Sequence, residues 1–167
     1  MFNANEIAIW FLLKNNSEIK EHEAINDDYE VYEGITHLKL QKLLYYAQGI
    51  YLAMHNKPLF NENIVAWQHG PVIEEVYAVY KENGRNIINI EMDKEKEELL
   101  KRIENDKETC EALNLTYDNF AIYTAWQLRQ MTHEDGSPWD ITERKNGLNS
   151  VIRKDLIRDF FKREIVE

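Results

Sequence analysis

The segment THLKLQKLLYYAQGIYLAMHN, Thr36 to Asn56, carries apolar residues around most of a helical circumference. Leu40, Leu43, Leu44, Ala47, Tyr51 and Met54 fall on one face at 100° per residue, and Tyr45, Tyr46, Ile50 and Ala53 spread over much of the rest. A helix of this kind has to be surrounded, so the segment predicts a central helix with others packed about it. Thr36 supplies an N-cap oxygen, and Gly49 leaves room for a close neighbour.

The rest of the chain is consistent with such a helix at its middle. Its 167 residues suit a single domain spanning 1–167, one that buries roughly 70% of its unfolded surface on folding. Six glycines and three prolines are few for the length, which favours long helices over a sheet cut by many turns. The expected fold is mainly α, with at most a short strand pair near residues 64–67 and 87–90. A net charge of -10 without segregated positive charge repels phosphate backbones, so direct contact with nucleic acid is not expected. The single cysteine, Cys110, cannot form an internal disulfide and fits a reducing cytoplasm. The opening MFNANEIAIWFLLKNN carries Glu6 and no early Lys or Arg, unlike a signal peptide, and its apolar run is too short to span a membrane.

Asn3 and Glu6 resemble a capping box, opening a first helix that carries Ile7, Trp10 and Phe11 and is expected to end near Asn15. The acidic stretch from Ser17 to Glu33 is almost aperiodic and reads as a loop or a weak helical turn. After the turn at Pro58, Gly70 and Pro71 read as a helix start, with proline at the first helical position and Gly84 as the stop. Residues 92–117 read as a variable, charged helical insert. A helix is expected from Tyr117 to Met131, with Phe120, Thr124, Leu128 and Met131 along one face. Pro138 starts a further short helix, and Ser150 reads as the cap of the last, which carries Ile157, Phe160 and Phe161.

The sequence is poor in recognisable chemistry. Metal ions need convergent ligands, and His22, His37, His55, His69 and His133 are scattered, so no metal or other cofactor is expected. Cys110 has acidic neighbours in Glu108 and Glu111, which disfavour a thiolate. There is neither a G-x-S-x-G elbow nor a glycine-rich phosphate loop. His69 lies before what reads as a helix N-terminus but has no orienting partner in the sequence. A hydrolase built on His69 and His133 is therefore the weaker alternative to a non-enzymatic role.

Three ordered blocks, LKLQKLLYYAQGIYLAMHNKPLF, IVAWQHGPVIEEVYAVYKENG and AWQLRQMTHEDGSPWDI, resemble the Panacea domain, also called the SocA-like antitoxin or GepA phage-associated domain. The resemblance runs from about Thr36 to Phe161. It implies a mainly helical antitoxin, encoded beside a toxin that it neutralises by direct contact; one member type is a proteolytic adaptor that delivers its toxin to an unfoldase-protease. The family pattern falls on Leu40, Gln41, Lys42, Leu43, Tyr45, Tyr46, Trp67, Gly70, Pro71, Val72, Thr132, His133, Pro138 and Trp139, none of which is implied to be catalytic. On this reading Trp67 to Val72 is structural punctuation against the central helix, and His69 is a bystander or a contact residue.

Ile122, Trp126 and Arg129, with His69, are the candidate toxin contacts. If Phe120, Leu128 and Met131 supply the core face, Ile122 and Trp126 need another neighbour: either the last helix, through Phe160 and Phe161, or an outside partner.

Overall fold

In the computed structural model, which describes residues 1–24 and 34–166, every residue from Lys39 to Ala53 of the central helix is buried. This helix, α2 (His37–His55), is capped by the Thr36 side chain, which accepts from the Lys39 amide. Around it pack α1 (Ala4–Ala24), α3 (Glu74–Tyr80), α5 (Lys107–Phe120), α6 (Ala125–Thr132) and α8 (Lys154–Glu164), while α4 (Lys94–Asn105) lies on α5 and α1. The fold is mainly α, as expected, with eight α-helices among the described residues and one small sheet. None of the described helices is long and apolar enough to cross a membrane.

The close approach allowed for at Gly49 is taken by α8: a Cβ at Gly49 would lie only 2.4 Å from Phe161 Cζ. Phe161 is fully buried and packs edge-on against Tyr45 and Tyr46, at 5.4 and 5.7 Å between centroids.

The capping box opens α1 as expected, since the Asn3 amide donates to Glu6 and the Glu6 amide to Asn3. The helix does not stop near Asn15. It runs on to Ala24, through the first part of the stretch read as a loop, because Lys14 pairs with Glu18 at 3.2 Å and Ile19 stays half-buried. The rest of that stretch, residues 25–33, lies outside the described residues.

The strand at 64–67 is present, but its partners differ from the expectation. β1 (Ile64–Trp67) pairs antiparallel with β2 (Gly70–Val72) on one side and β3 (Val151–Ile152) on the other. Ile87 instead forms an isolated bridge with Thr36. Pro71 therefore sits in an edge strand, and the helix begins only at Glu74. The backbone explains why a proline fits there. Ala66, opposite Pro71, turns its amide to Ser150 and its carbonyl to Asn149 on the β3 side, so the pair asks for no N–H from Pro71.

Two other boundaries shift. The helix expected from Tyr117 to Met131 is two helices. Lys39 Nζ donates to the Ala121 carbonyl at 2.6 Å and closes the end of α5, and Thr124 with Gln127 forms a capping box that opens α6. Thr124 is thus a cap rather than a member of a core face. Ser150 does not cap the last helix. It donates to the Asn146 carbonyl, β3 follows, and Arg153 occupies the N-cap position of α8 without a side-chain bond.

Candidate functional site

The two-residue turn Gln68–His69 joins β1 to β2, and the backbone from Trp67 to Ile73 is fastened from outside by side chains of two helices and of a residue at the end of a third. Trp139 of α7 (Pro138–Asn146) donates its indole N–H to the Trp67 carbonyl at 2.8 Å. His133, the C-cap of α6, places Nε2 3.0 Å from the Gln68 carbonyl oxygen. From α2, Lys42 donates to Pro71 at 3.2 Å and Gln41 to Ile73 at 3.2 Å, while the Ile73 amide donates back to Gln41 Oε1 at 2.8 Å. A short hairpin lacks the long ladder that would satisfy its backbone, and these side chains supply the missing partners. Gln48 does the same for the next turn, bonding the Leu59 amide and the Phe60 carbonyl.

Lys42 is the costliest member of this arrangement. Its side chain has no solvent exposure, and burial, reinforced by the nearby Arg129 charge, pushes its pKa down to about 7. The hairpin lies directly on it. Gly70 has φ +114°, and a Cβ there would meet Lys42 Cε at 2.8 Å and Thr132 Oγ1 at 3.1 Å. Both the backbone angle and the space require glycine.

These contacts bring together positions far apart in the chain. Gln41, Lys42, Trp67, Gly70, Pro71, Val72, Thr132, His133 and Trp139 converge around the hairpin. Leu40, Leu43, Tyr45 and Tyr46 belong to the buried faces of α2, with Tyr46 stacked on Phe120 at 4.0 Å. Pro138 stands at the start of α7 behind the Ser137 cap.

A family model described as "Antitoxin SocA-like, Panacea domain" matches residues 40–140, the span that holds all of these positions. The chain belongs to the SocA-like Panacea family. It is 34% identical over 122 residues to "Antitoxin SocA" of Caulobacter vibrioides (strain NA1000 / CB15N), with 69% of this chain and 63% of that protein aligned. The chain thus spans less than two thirds of the length of that relative. No solved structure matches it. The family-motif residues are the ones that clamp the hairpin or fill the centre of the fold, and most of their polar atoms are used in doing so.

The four candidate contact residues lie outside that clamp. Ile122 and Trp126 are 60% and 59% exposed, so the last helix does not cover them; Phe161 is spent on Tyr45, Tyr46 and Gly49 instead. The Arg129 guanidinium lies over the Trp126 ring at 4.8 Å and donates from Nε to His69 Nδ1 at 3.2 Å. Trp126, Arg129 and His69 therefore form a row from α6 to the tip of the hairpin, with Ile122 on the turn before α6. Beyond His69 the row runs into a groove of about 470 Å³ whose lining includes His37, Trp67, Tyr77 and Leu148.

No hydrogen bond joins His69 to His133 among the described residues. His133 is bracketed by carbonyl oxygens, with Nδ1 2.6 Å from that of Arg129 and Nε2 3.0 Å from that of Gln68, while His69 accepts from Arg129. Among the described residues no three His, Cys, Asp or Glu side chains are placed to hold a metal ion.

The sequence singled out the motif positions but not their joint task. Gln41, Lys42 and Gln48, polar residues among the apolar ones of α2, were the available signal, since a buried polar side chain has to find a partner.

Proposed function

We propose that this protein is an antitoxin of the cytoplasm that neutralises a protein toxin encoded beside it by binding it directly, without chemistry of its own. The observation that carries the reading is the exposed row of Trp126, stacked Arg129 and His69, flanked by Ile122, on a family fold whose motif residues are occupied internally. Tryptophan and arginine are the residues most often found at energetic centres of protein interfaces, and an exposed tryptophan held by a stacked arginine is already ordered for contact. The name carried by the Caulobacter relative supports the antitoxin role. The net charge of -10 favours a basic toxin. The hydrolase alternative finds less support, since among the described residues no carboxylate is bonded to either His69 or His133 and the ring nitrogens of His133 both face carbonyl oxygens.

The test is to introduce the adjacent reading frame into cells with or without this gene. Transformants are expected only in its presence. Trp126→Ala is expected to abolish that protection and to weaken binding of the purified toxin by about 2 kcal/mol or more, while leaving the melting temperature nearly unchanged. Full protection by a folded Trp126→Ala protein would remove this surface from the function.

A further inference from the structure

Next to Trp126, α6 presents a second face. Gln127, Gln130 and Met131 of this helix, with Tyr123 from the turn before it and Glu134 just past its C-cap, line an open cup of about 390 Å³. Resting on the partner-binding reading above, we infer that this cup is a subsite for an arginine side chain of the protein partner.

The chemistry of the lining selects that group. Glu134 is exposed, and no ion pair engages its carboxylate among the described residues, whereas the neighbouring Asp135 is already paired with Arg144 at 3.1 Å. A carboxylate matches the planar fork of a guanidinium with two parallel hydrogen bonds, a geometry that the lysine ammonium cannot reproduce. Tyr123 offers a ring on which the same plane can stack, and Met131 a polarizable surface for the methylene stem. Gln130 has an amide oxygen for a remaining N–H, and Gln127 is held in place because its Oε1 accepts from the Thr124 amide at 2.8 Å. The capping box that opens α6 thus fixes one wall of the cup. Charge points the same way, since the chain carries a net -10 and a basic side chain would meet an unneutralised carboxylate.

The probe is N-acetyl-arginine amide, titrated into the full chain and followed by backbone amide chemical shifts, with N-acetyl-citrulline amide as the neutral isostere. Saturable shifts are expected at Tyr123, Gln130 and Glu134, weakened about five-fold in Glu134→Gln and reduced at high salt, with little response to citrulline. No saturable shift, shifts unaltered by Glu134→Gln, or equal binding of citrulline would each overturn the inference. The two readings fail separately. Loss of toxin binding in Trp126→Ala without an arginine response would leave the antitoxin reading standing and remove the cup. An arginine response with toxin binding indifferent to Trp126 would leave the cup standing and remove the Trp126 row from the toxin-binding surface.

Discussion

Lys42 donates to the carbonyl oxygen of Pro71 at 3.2 Å from a position with no solvent exposure, so the central helix holds the hairpin by an amine whose charge is disfavoured. Its folded pKa is about 7, against the ordinary lysine value of 10.5. Between these values the unfolded chain binds more protons than the folded one, so stability rises with pH through this window. The contribution should grow by about 2 kcal/mol from pH 7 to pH 9. Burial raises the pKa of Tyr45 and Tyr46, which removes stability as pH rises above the ordinary tyrosine range and leaves the lower window to Lys42. Urea unfolding at pH 7, 8 and 9 should show the rise, and Lys42→Met should flatten it. An equal slope in the variant would show that Lys42 is not its source.

Removing the indole N–H at Trp139 while keeping a ring isolates one clamp. Trp139→Phe should cost about 1 kcal/mol, the net worth of a single hydrogen bond to the backbone, whereas His69→Ala at the exposed tip should stay within about 0.5 kcal/mol. Denaturant melts of the two variants give the comparison. Equal losses would mean that the tip of the hairpin, and not its side-chain clamps, stabilises it.

The contact of Gly49 with Phe161 predicts a coupled pair. Gly49→Ala drives a methyl group into the ring and should destabilise by about 1–3 kcal/mol. Combining it with Phe161→Leu should cost less than the sum of the single changes, because the smaller side chain frees the space. Strict additivity in a double-mutant cycle would place the two residues out of contact.

Thr124→Ala removes one half of the capping box at the start of α6 and should cost about 1 kcal/mol. It should also weaken toxin binding although Thr124 need not touch the toxin, since Trp126 lies in the turn that the cap holds. Calorimetric titration alongside a thermal melt distinguishes this from simple unfolding. Unchanged affinity would mean that Trp126 is positioned by its stacking with Arg129 alone.

The local punctuation of the chain was legible where side chain and backbone are close in sequence. The caps at Asn3 and Thr36 act over three residues, and Pro138 opens α7 as its fixed φ requires. Pro71 carries the same signal and is not in a helix, because proline is equally at home on an edge strand when its neighbour's hydrogen bonds turn the other way. The spacing of Phe120, Thr124, Leu128 and Met131 suggested one continuous face. The Thr124-x-x-Gln127 signature inside it was the stronger signal, and Lys39, more than eighty positions earlier, reinforces the break.

By itself, then, the sequence determined that α2 is central, since apolar residues around most of its circumference leave the helix no continuous solvent face, and it determined the family through three ordered blocks. Tertiary structure alone decided what the polar members of those blocks do and which apolar residues stay outside. Gln41, Lys42, His133 and Trp139 find their acceptors between 29 and 72 residues away, a pairing set by how the helices close around a hairpin. Ile122 and Trp126 remain exposed because Phe161 has its place over Gly49, and helical periodicity records that a residue is apolar without recording which neighbour, or whether any, arrives to cover it.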